Sequence, residues 1–219
     1  MKKMKFASMS ILALLGSGVV AQATEYPAAG LAESPVRVTI HGDEEVPPVD
    51  PENPNPDPEN PNPDPELLDI LYASPLEFGS VTLDGEEQIL DAADDRSVNG
   101  DSFSPMVSIR DRRSDDTRSG WALSVKFEEE FLDGAEIRMN PFVHENNALL
   151  GIVGGGEITV GVDAQLFAST TTEGYARHSV SMAMAQPDEA VQLVIPGETD
   201  VDTGEYTTTL VWELTDAPL

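Results

Sequence analysis

Short runs in which apolar and polar residues alternate fill the chain from residue 67 to its end. In the last run, Leu210, Trp212 and Leu214 fall on one face of an extended strand, and polar or β-branched residues fall on the other. We therefore predict nine short strands, at residues 67–73, 76–83, 105–110, 121–127, 135–139, 157–160, 179–185, 190–195 and 206–214.

The segments between these runs are rich in turn residues. Asp-Gly at 84–85 and 133–134, Asn-Gly at 99–100 and Pro-Gly at 196–197 are typical of the loops that join strands. Short strands at this spacing favour an all-β fold, an antiparallel sandwich or a barrel-like single domain. No stretch carries a sustained helical period with capping residues, so we expect at most one or two short helices, for which 164–169 is a candidate segment.

A proline-rich repeat precedes the first of these strands. The sequence Pro-Glu-Asn-Pro-Asn-Pro-Asp at 51–57 is copied at 58–64. Proline fixes φ and removes a hydrogen-bond donor, and the acids repel one another, so residues 51–66 are predicted to form a disordered linker. Residues 24–50 are a short arm whose alternating fragment 36–40 is either an edge strand or part of a disordered segment. The domain itself is predicted to span 67–219.

The first 23 residues have the parts of a secretion signal. Three lysines among the first five residues are followed by an apolar run at 11–20 and by a small-x-small triplet at 21–23. The apolar run is shorter than the roughly 20 residues of a membrane-spanning helix. We therefore predict that residues 1–23 are removed, that the mature chain starts at Thr24, and that no membrane span remains. No sortase-type signal closes the chain, so any hold on the cell surface is expected to be non-covalent.

The mature chain is strongly acidic. Residues 24–219 carry nine Lys and Arg against 40 Asp and Glu, a net charge of −31, and contain no cysteine. Nucleic acids and anionic lipids need a basic surface, so we exclude them as partners. Glycans, cationic protein surfaces and divalent metals remain as candidate partners.

The chain contains two tryptophans, and each stands two residues before a leucine. Trp121 and Leu123 point the same way on one predicted strand, and Trp212 and Leu214 do so on the last. Two interpretations stay open. Such a tryptophan is typical of a hydrophobic core, whereas a solvent-facing one stacks on the C–H face of a sugar ring and donates a hydrogen bond from its indole.

The surroundings of both pairs resemble a known family, the WxL domain of surface proteins of low-GC Gram-positive bacteria. The sequence Leu-Glu-Phe-Gly at 76–79 is similar to the family's opening strand, residues 111–123 to its first Trp motif and residues 206–218 to its second. The resemblance implies non-covalent attachment to the cell wall, with peptidoglycan or an associated wall polymer as the ligand. It also implies complexes with other surface proteins that carry a peptidoglycan-binding domain, and it makes the two Trp-x-Leu pairs the expected ligand-binding motif.

A second candidate site precedes the first tryptophan. Four of the nine mature cations, Arg110, Arg112, Arg113 and Arg118, fall within nine residues. The planar guanidinium group pairs with carboxylates and phosphates, which peptidoglycan stems and teichoic acids carry. These arginines are therefore predicted contacts for an anionic glycan. The alternative is a solvated loop in which they pair with the neighbouring aspartates.

The sequence gives little evidence for an enzymatic site or a metal site. The three histidines are scattered, and the chain has no cysteine nucleophile, no Gly-x-Ser-x-Gly elbow and no phosphate-binding loop. An acidic loop at 91–101 offers oxygen ligands for Ca²⁺, but its spacing does not match an EF-hand. We predict a secreted, non-enzymatic cell-surface protein without cofactor or metal. It binds peptidoglycan or, as the alternative, docks on a membrane-tethered or wall-bound partner protein.

Overall fold

The computed structural model describes residues 24–40, 59–113, 118–143, 151–170 and 178–216, with the side chains of Ile40, His178 and Ser179 excepted. His41 and His144 lie outside these ranges. The described residues form sixteen strands and no helix, which confirms the all-β prediction, and none of them belongs to a helix that could cross a bilayer. The strands are β1 (Glu25–Ala28), β2 (Leu31–Ile40), β3 (Leu68–Ala73), β4 (Leu76–Val81), β5 (Gln88–Asp91), β6 (Asp95–Arg96), β7 (Ser102–Phe103), β8 (Met106–Asp111), β9 (Ala122–Phe127), β10 (Glu136–Met139), β11 (Ile152–Gly154), β12 (Ile158–Val160), β13 (Gln165–Thr170), β14 (His178–Ala183), β15 (Gln192–Ile195) and β16 (Gly204–Thr215).

These strands are arranged in four sheets. The largest has the order β1-β2-β16-β9-β13-β11, and β4 pairs in parallel with β2. A second sheet has the order β12-β10-β15-β5, a third β14-β8-β3, and β6 with β7 forms a small hairpin. Side chains from the three larger sheets, such as Trp212, Leu193 and Ile109, meet in one hydrophobic core.

Strand β2 places the N-terminal arm inside the largest sheet. It pairs with β16 along its whole length and with both β1 and β4. Ala32, Val36 and Val38 on this strand are fully buried. The fragment 36–40 is therefore part of an interior strand rather than an edge strand or a disordered arm. The core accordingly begins well before residue 67, because the alternating pattern of β2 buries side chains that a separate arm would expose.

The second copy of the proline repeat is held against the domain. Asp69 is buried, and its carboxylate accepts hydrogen bonds from the backbone N–H of Glu66 at 3.0 Å and of Gly30 at 2.7 Å. The side-chain amide of Asn62 lies 3.4 Å from the same carboxylate. Residues 59–66 are thus the anchored end of a connection between β2 and β3, not a disordered spacer that separates an arm from a domain. The first copy, 51–57, lies outside the described residues.

The segment at 164–169 is a strand, so the expectation of a helix there was wrong. β13 pairs with β9 on one side and β11 on the other. Its register against β9 shifts between Leu166 and Ala168, and the consecutive residues Phe167 and Ala168 are both fully buried. This irregularity interrupts the two-residue period by which strands are recognised in a sequence. On β14, by contrast, Val180 and Met182 keep that period and both face the core.

Candidate functional site

The two tryptophan motifs lie side by side in the largest sheet. β9 and β16 pair antiparallel, with Trp212 opposite Val125 and Leu214 opposite Leu123. Trp121 stands immediately before β9, where its backbone N–H donates to Thr170 Oγ1 at 2.9 Å. Two motifs that are 91 residues apart in the chain thus form a single structural unit.

All four motif side chains face the core. Trp121, Leu123 and Trp212 are 0% exposed and Leu214 is 8% exposed. The ring of Trp212 packs against Phe167 in a T-shaped arrangement, with centroids 5.0 Å apart and an interplanar angle of 84°. The structure therefore favours the core-packing interpretation over the expected ligand-binding role, because a ligand on the surface of this fold does not reach these rings.

The turn between β1 and β2 is fitted against the second motif. Gly30 has a φ of +72° and accepts a hydrogen bond from the backbone N–H of Leu214 at 2.5 Å. A Cβ atom at this position would lie 2.7 Å from the carbonyl oxygen of Leu214, closer than atoms normally approach. Only glycine combines this backbone conformation with this close approach. The N-terminal arm and the last strand therefore depend on each other.

Arg113 is enclosed by carboxylates rather than offered to a glycan. Its Nε donates to Asp111 Oδ1 at 2.9 Å and its Nη2 to Asp111 Oδ2 at 2.7 Å, a two-pronged ion pair. Nη2 also donates to the carbonyl oxygen of Gly120 at 2.9 Å, and Nη1 pairs with Asp216. We call Asp111, Arg113 and Asp216 the arginine clamp.

The arginine clamp joins the approach to the first tryptophan motif to the end of the second. Asp216 follows β16 directly and also accepts a hydrogen bond from Ser119 Oγ at 2.6 Å. The hydrogen bonds from Ser119 and Arg113 lower the pKa of Asp216, and the hydrogen bond to Asp111 raises the pKa of Arg113. Asp216 and Arg113 therefore stay charged across the physiological range and act as a structural tie.

The other three predicted arginines have different surroundings. Arg110 donates from Nε to the carbonyl oxygen of Glu66 at 2.9 Å and also contacts that of Pro65, so it fixes the end of the proline repeat. Arg112 is exposed and Arg118 is half-buried, while residues 114–117 between them lie outside the described residues. The anionic-glycan site predicted at these arginines is therefore not assembled as predicted. The guanidinium N–H groups of Arg110 and Arg113 donate hydrogen bonds to carbonyl and carboxylate oxygens of the domain itself.

An open cleft on the second sheet is lined mainly by polar and charged side chains. It encloses about 440 Å³ between β5, β10, β15 and the turn before β15. Its polar and charged lining residues are Asp91, Arg138, Asn140, Glu157, Asp188, Glu189 and Gln192. We call it the polar cleft.

The groups of the polar cleft are positioned by hydrogen bonds among themselves. Asn140 Nδ2 donates to Glu189 Oε2 at 3.0 Å, and Gln192 Nε2 donates to Asp91 Oδ1 at 3.1 Å. Arg138 lies among them, and its side chain is 40% exposed. The cleft thus presents amides, carboxylates and one guanidinium group that all remain open to solvent. Such a set can bind hydroxyl, amide and amino groups of a ligand.

Sequence reasoning missed the polar cleft. Its lining residues come from four separated places along the chain and form no motif of fixed spacing. The signal they leave in the sequence is a polar residue near the end of a strand, which is common on any soluble sheet. The acidic loop at 91–101, which was weighed as a Ca²⁺ site, contributes Asp91 to this cleft. No group of three or more His, Cys, Asp or Glu in the described residues is placed to hold a metal ion.

A comparison with protein families identifies the chain. The family described as the WxL domain, surface cell wall-binding, matches residues 28–218, a range that includes β2 and the proline repeat as well as the strands after residue 67. Neither the curated proteins nor the solved structures gave a match. The family match spans almost the whole chain and confirms the resemblance that the two tryptophan motifs carry. This chain therefore belongs to the WxL family of surface domains that bind the cell wall.

Proposed function

We propose that this protein is exported, binds peptidoglycan directly and non-covalently at the cell surface, and catalyses no reaction. The observation that carries the proposal is the polar cleft, which is open, rigidly framed by strands and lined by hydrogen-bonding groups. Its volume of about 440 Å³ lies within the range of roughly 300 to 1,000 Å³ that is usual for small-ligand sites. Membership of a cell wall-binding family supports the same function.

The chemistry of peptidoglycan matches the groups in the polar cleft. Its sugars carry hydroxyl and acetamido groups, and its stem peptides carry amides and, where they are not cross-linked, a free amino group. Asn140 and Gln192 each supply a donor and an acceptor, and Arg138 supplies a partner for a stem carboxylate. The proposal assigns these three residues to direct contact with the polymer.

The charge of the polar cleft favours an amino group over a phosphate. Four carboxylates, on Asp91, Glu157, Asp188 and Glu189, face one guanidinium group. A phosphate polymer such as teichoic acid is repelled by this arrangement, whereas the ammonium group of an uncross-linked stem is attracted. The favoured ligand is therefore peptidoglycan itself rather than an anionic wall polymer.

Co-sedimentation with protein-stripped, teichoic-acid-free peptidoglycan tests the proposal. The double variant N140A/Q192A removes two contacts of about 0.5 to 1.5 kcal/mol each, so its affinity should fall by a factor of about 5 to 160. The matched control is T207A, an exposed residue on the outer face of β16, which should bind like the wild type. Equal binding by the double variant and the wild type would contradict the assignment of the cleft. A wild-type protein that stays in the supernatant would end the proposal of direct binding.

The proposed preference of the cleft for a free amino group is tested with two forms of soluble muropeptide. Soluble muropeptides with a free stem amine are offered beside the same muropeptides after acetylation of that amine. The free amine should bind more tightly, and the difference should shrink in high salt because it is electrostatic. Equal affinity for both forms would mean that the carboxylates of the cleft do not contact the stem.

A second candidate function is docking on another surface protein, and two edge strands favour it. Among the described residues, β5 and β11 are edge strands of their sheets, and each carries an exposed apolar side chain, Ile89 and Val153. Unpaired strand edges of this kind can be extended by a strand from a partner. The double variant I89K/V153K should lose such a partner but retain binding to purified peptidoglycan, which separates the two functions.

A further inference from the structure

Thr24, the residue at which the mature chain is predicted to start, is buried in the domain. It is 8% exposed, its Oγ1 donates to the carbonyl oxygen of Ala73 at 2.5 Å, and the same atom lies 3.3 Å from Oγ of the buried Ser34. β1 begins at the next residue. The first residues of a mature chain are usually exposed and loosely held. This one is fixed by hydrogen bonds to β2 and β3.

Thr24 lines a cavity of about 260 Å³ whose charged groups are mostly acidic. Glu59, Glu77, Asp94 and Asp95 contribute four carboxylates, and Arg96 contributes one guanidinium group. The phenol of Tyr72 also lines the cavity and donates to Asp95 at 2.5 Å. The lining comes from the second copy of the proline repeat, from β3 and β4, and from residues 93–96, so the acidic charge is gathered from distant parts of the chain.

Glu77 is a carboxyl group of this cavity whose ionised form is disfavoured. Burial raises its pKa, Arg37 lowers it, and Glu205 raises it further, so the net shift disfavours the ionised carboxylate. A cation added to the cavity would reverse part of that cost. The mature chain has one main-chain cation to offer, its own N-terminal ammonium group.

We propose that this cavity receives the α-ammonium group that removal of the signal peptide creates at Thr24, so that processing itself stabilises the domain. In the hydrolysis, water cleaves the C–N bond between Ala23 and Thr24: the carbonyl carbon of Ala23 gains the hydroxyl group and the nitrogen of Thr24 gains a proton. The free amine then binds a second proton at neutral pH. Before cleavage the same nitrogen is a neutral amide, and the four carboxylates lack this partner.

The proposal depends on cleavage after Ala23 and is independent of what the domain binds. It describes a coupling between export and stability: the chain that has lost its signal gains an ion pair that the precursor cannot make. Because the side chain of Thr24 is hydrogen-bonded to β2 and β3, the residue stays in the wall of the cavity whatever the charge of its nitrogen. The expected effect is therefore electrostatic rather than a change of fold.

Three forms of the chain test the proposal by thermal unfolding at pH 6.5. The first spans 24–219, the second begins at Ala23, and the third spans 24–219 with an acetylated N-terminus. The form that begins with a free Thr24 should have a Tm about 2 to 4 °C above both others, the shift expected for an interaction of about 1 kcal/mol in a domain of this size. Equal Tm values for the three forms would overturn the proposal.

The pH dependence identifies the ammonium group as the cause. A carboxylate-lined cavity raises the folded-state pKa of the amine above its unfolded value of about 7.7 to 8.0. The added stability is therefore complete below that value and is lost as the pH rises through the higher folded-state pKa. The Tm advantage of the free Thr24 form should disappear at pH 10. An advantage that persists at pH 10 would show that packing, not charge, is responsible.

The amine can also be observed directly, because Lys126 is the one lysine in residues 24–219. Reductive methylation with ¹³C-formaldehyde labels the two amines, and NMR then follows each through its titration. The N-terminal amine of the 24–219 form should titrate above about 8.0, and that of the form starting at Ala23 closer to the ordinary value. A normal titration in the 24–219 form would contradict the proposal.

A double-mutant cycle assigns the partner. In the acetylated form, E77Q should raise the Tm, because burial and Glu205 disfavour the ionised carboxylate of Glu77 by more than Arg37 favours it. In the free Thr24 form it should raise the Tm less or lower it, because it also removes a partner of the ammonium group. The exposed E213Q on β16 is the matched control and should show no such coupling. If E77Q and D94N both lack coupling with the amine, the proposal fails.

Discussion

The arginine clamp and the polar cleft both place an arginine among carboxylates. The two regions differ in how exposed the arginine is and in how many groups of the chain it contacts. Arg113 is 8% exposed and is surrounded by Asp111, Asp216 and a backbone carbonyl of its own chain. Arg138 has a side chain that is 40% exposed and one ion-pair partner, Glu136, at 3.0 Å. The clamp is closed on itself, whereas the cleft keeps its donors and acceptors open to a ligand.

This difference separates fold from binding in the domain. The tryptophan motifs and the clamp, which the sequence makes conspicuous, form the interior joint between β9 and β16 and the segments around it. The open hydrogen-bonding surface lies on another sheet, whose residues carry no recognisable motif. A motif that identifies this family thus marks the scaffold, and the wall-binding chemistry is proposed to lie elsewhere.

The largest expected effect comes from the second tryptophan. W212A removes a fully buried side chain that packs on Phe167, so it should lower the free energy of unfolding by about 3 to 5 kcal/mol. W212F should cost much less, because it retains most of the ring volume and removes the indole N–H, which has no hydrogen-bond acceptor among the described residues. Urea unfolding monitored by circular dichroism checks both.

The stability of W212A also decides how a loss of wall binding in that variant is interpreted. If W212A keeps wild-type stability while wall binding disappears, the ring is exposed to ligand and the core assignment is wrong. The neighbouring E213A, on the exposed face of the same strand, controls for the strand itself and should leave stability within about 0.5 kcal/mol of the wild type.

The variants R113A and R138A test whether the clamp serves stability and the cleft serves binding. R113A leaves the buried carboxylate of Asp111 without its partner and should cost about 3 kcal/mol of stability. R138A removes a solvent-exposed ion pair and should cost about 0.5 kcal/mol or less, while it weakens wall binding. Denaturant unfolding beside co-sedimentation measures both properties. The reverse result, a stability loss in R138A and a binding loss in a folded R113A, would exchange the roles of the two regions.

The smallest effect concerns Asp216 and its dependence on pH. Its pKa is lowered in the folded protein by hydrogen bonds from Ser119 and Arg113, so its contribution is present above the unfolded-state pKa of about 3.9 and is lost as the pH falls through the lower folded-state value. Because its side chain is 57% exposed, solvent screens the pair, and D216N should cost about 0.5 kcal/mol or less at pH 7. The difference in Tm between D216N and the wild type should vanish near pH 2. A difference that is unchanged from pH 7 to pH 2 would show that the charge of Asp216 does not matter.

Local pattern was sufficient for much of the fold. Each of the nine predicted runs coincides with a strand to within two residues at either end, because alternation and turn residues are local properties. The shorter strands β1, β5, β6, β7 and β11 were missed, since they have four residues or fewer and too little alternation to be recognised. β13 was missed because the register shift beside Phe167 interrupts its period.

The candidate site was predicted less well than the fold. Trp121 and Trp212 were correctly singled out as central, but their direction was open, because alternation assigns residues to two faces without saying which face is covered. Arg113 was grouped with its neighbours by spacing, although its partner Asp216 is 103 residues away in the chain. The polar cleft left no specific signal in the sequence, since its residues converge only after β5, β10 and β15 have paired.

The all-β class, the positions of most strands, the membership of the WxL family and the acidic surface could all be predicted from the sequence. Each of them follows from the amino-acid composition or from a local pattern of residues. The tertiary structure decided the rest. It buried both tryptophans, placed the N-terminal arm between β16 and β4, closed the arginine clamp, opened the polar cleft and set Thr24 beside four carboxylates. These features depend on strand pairings between distant segments, and the burial and charge of a residue are fixed only when those pairings bring its neighbours together.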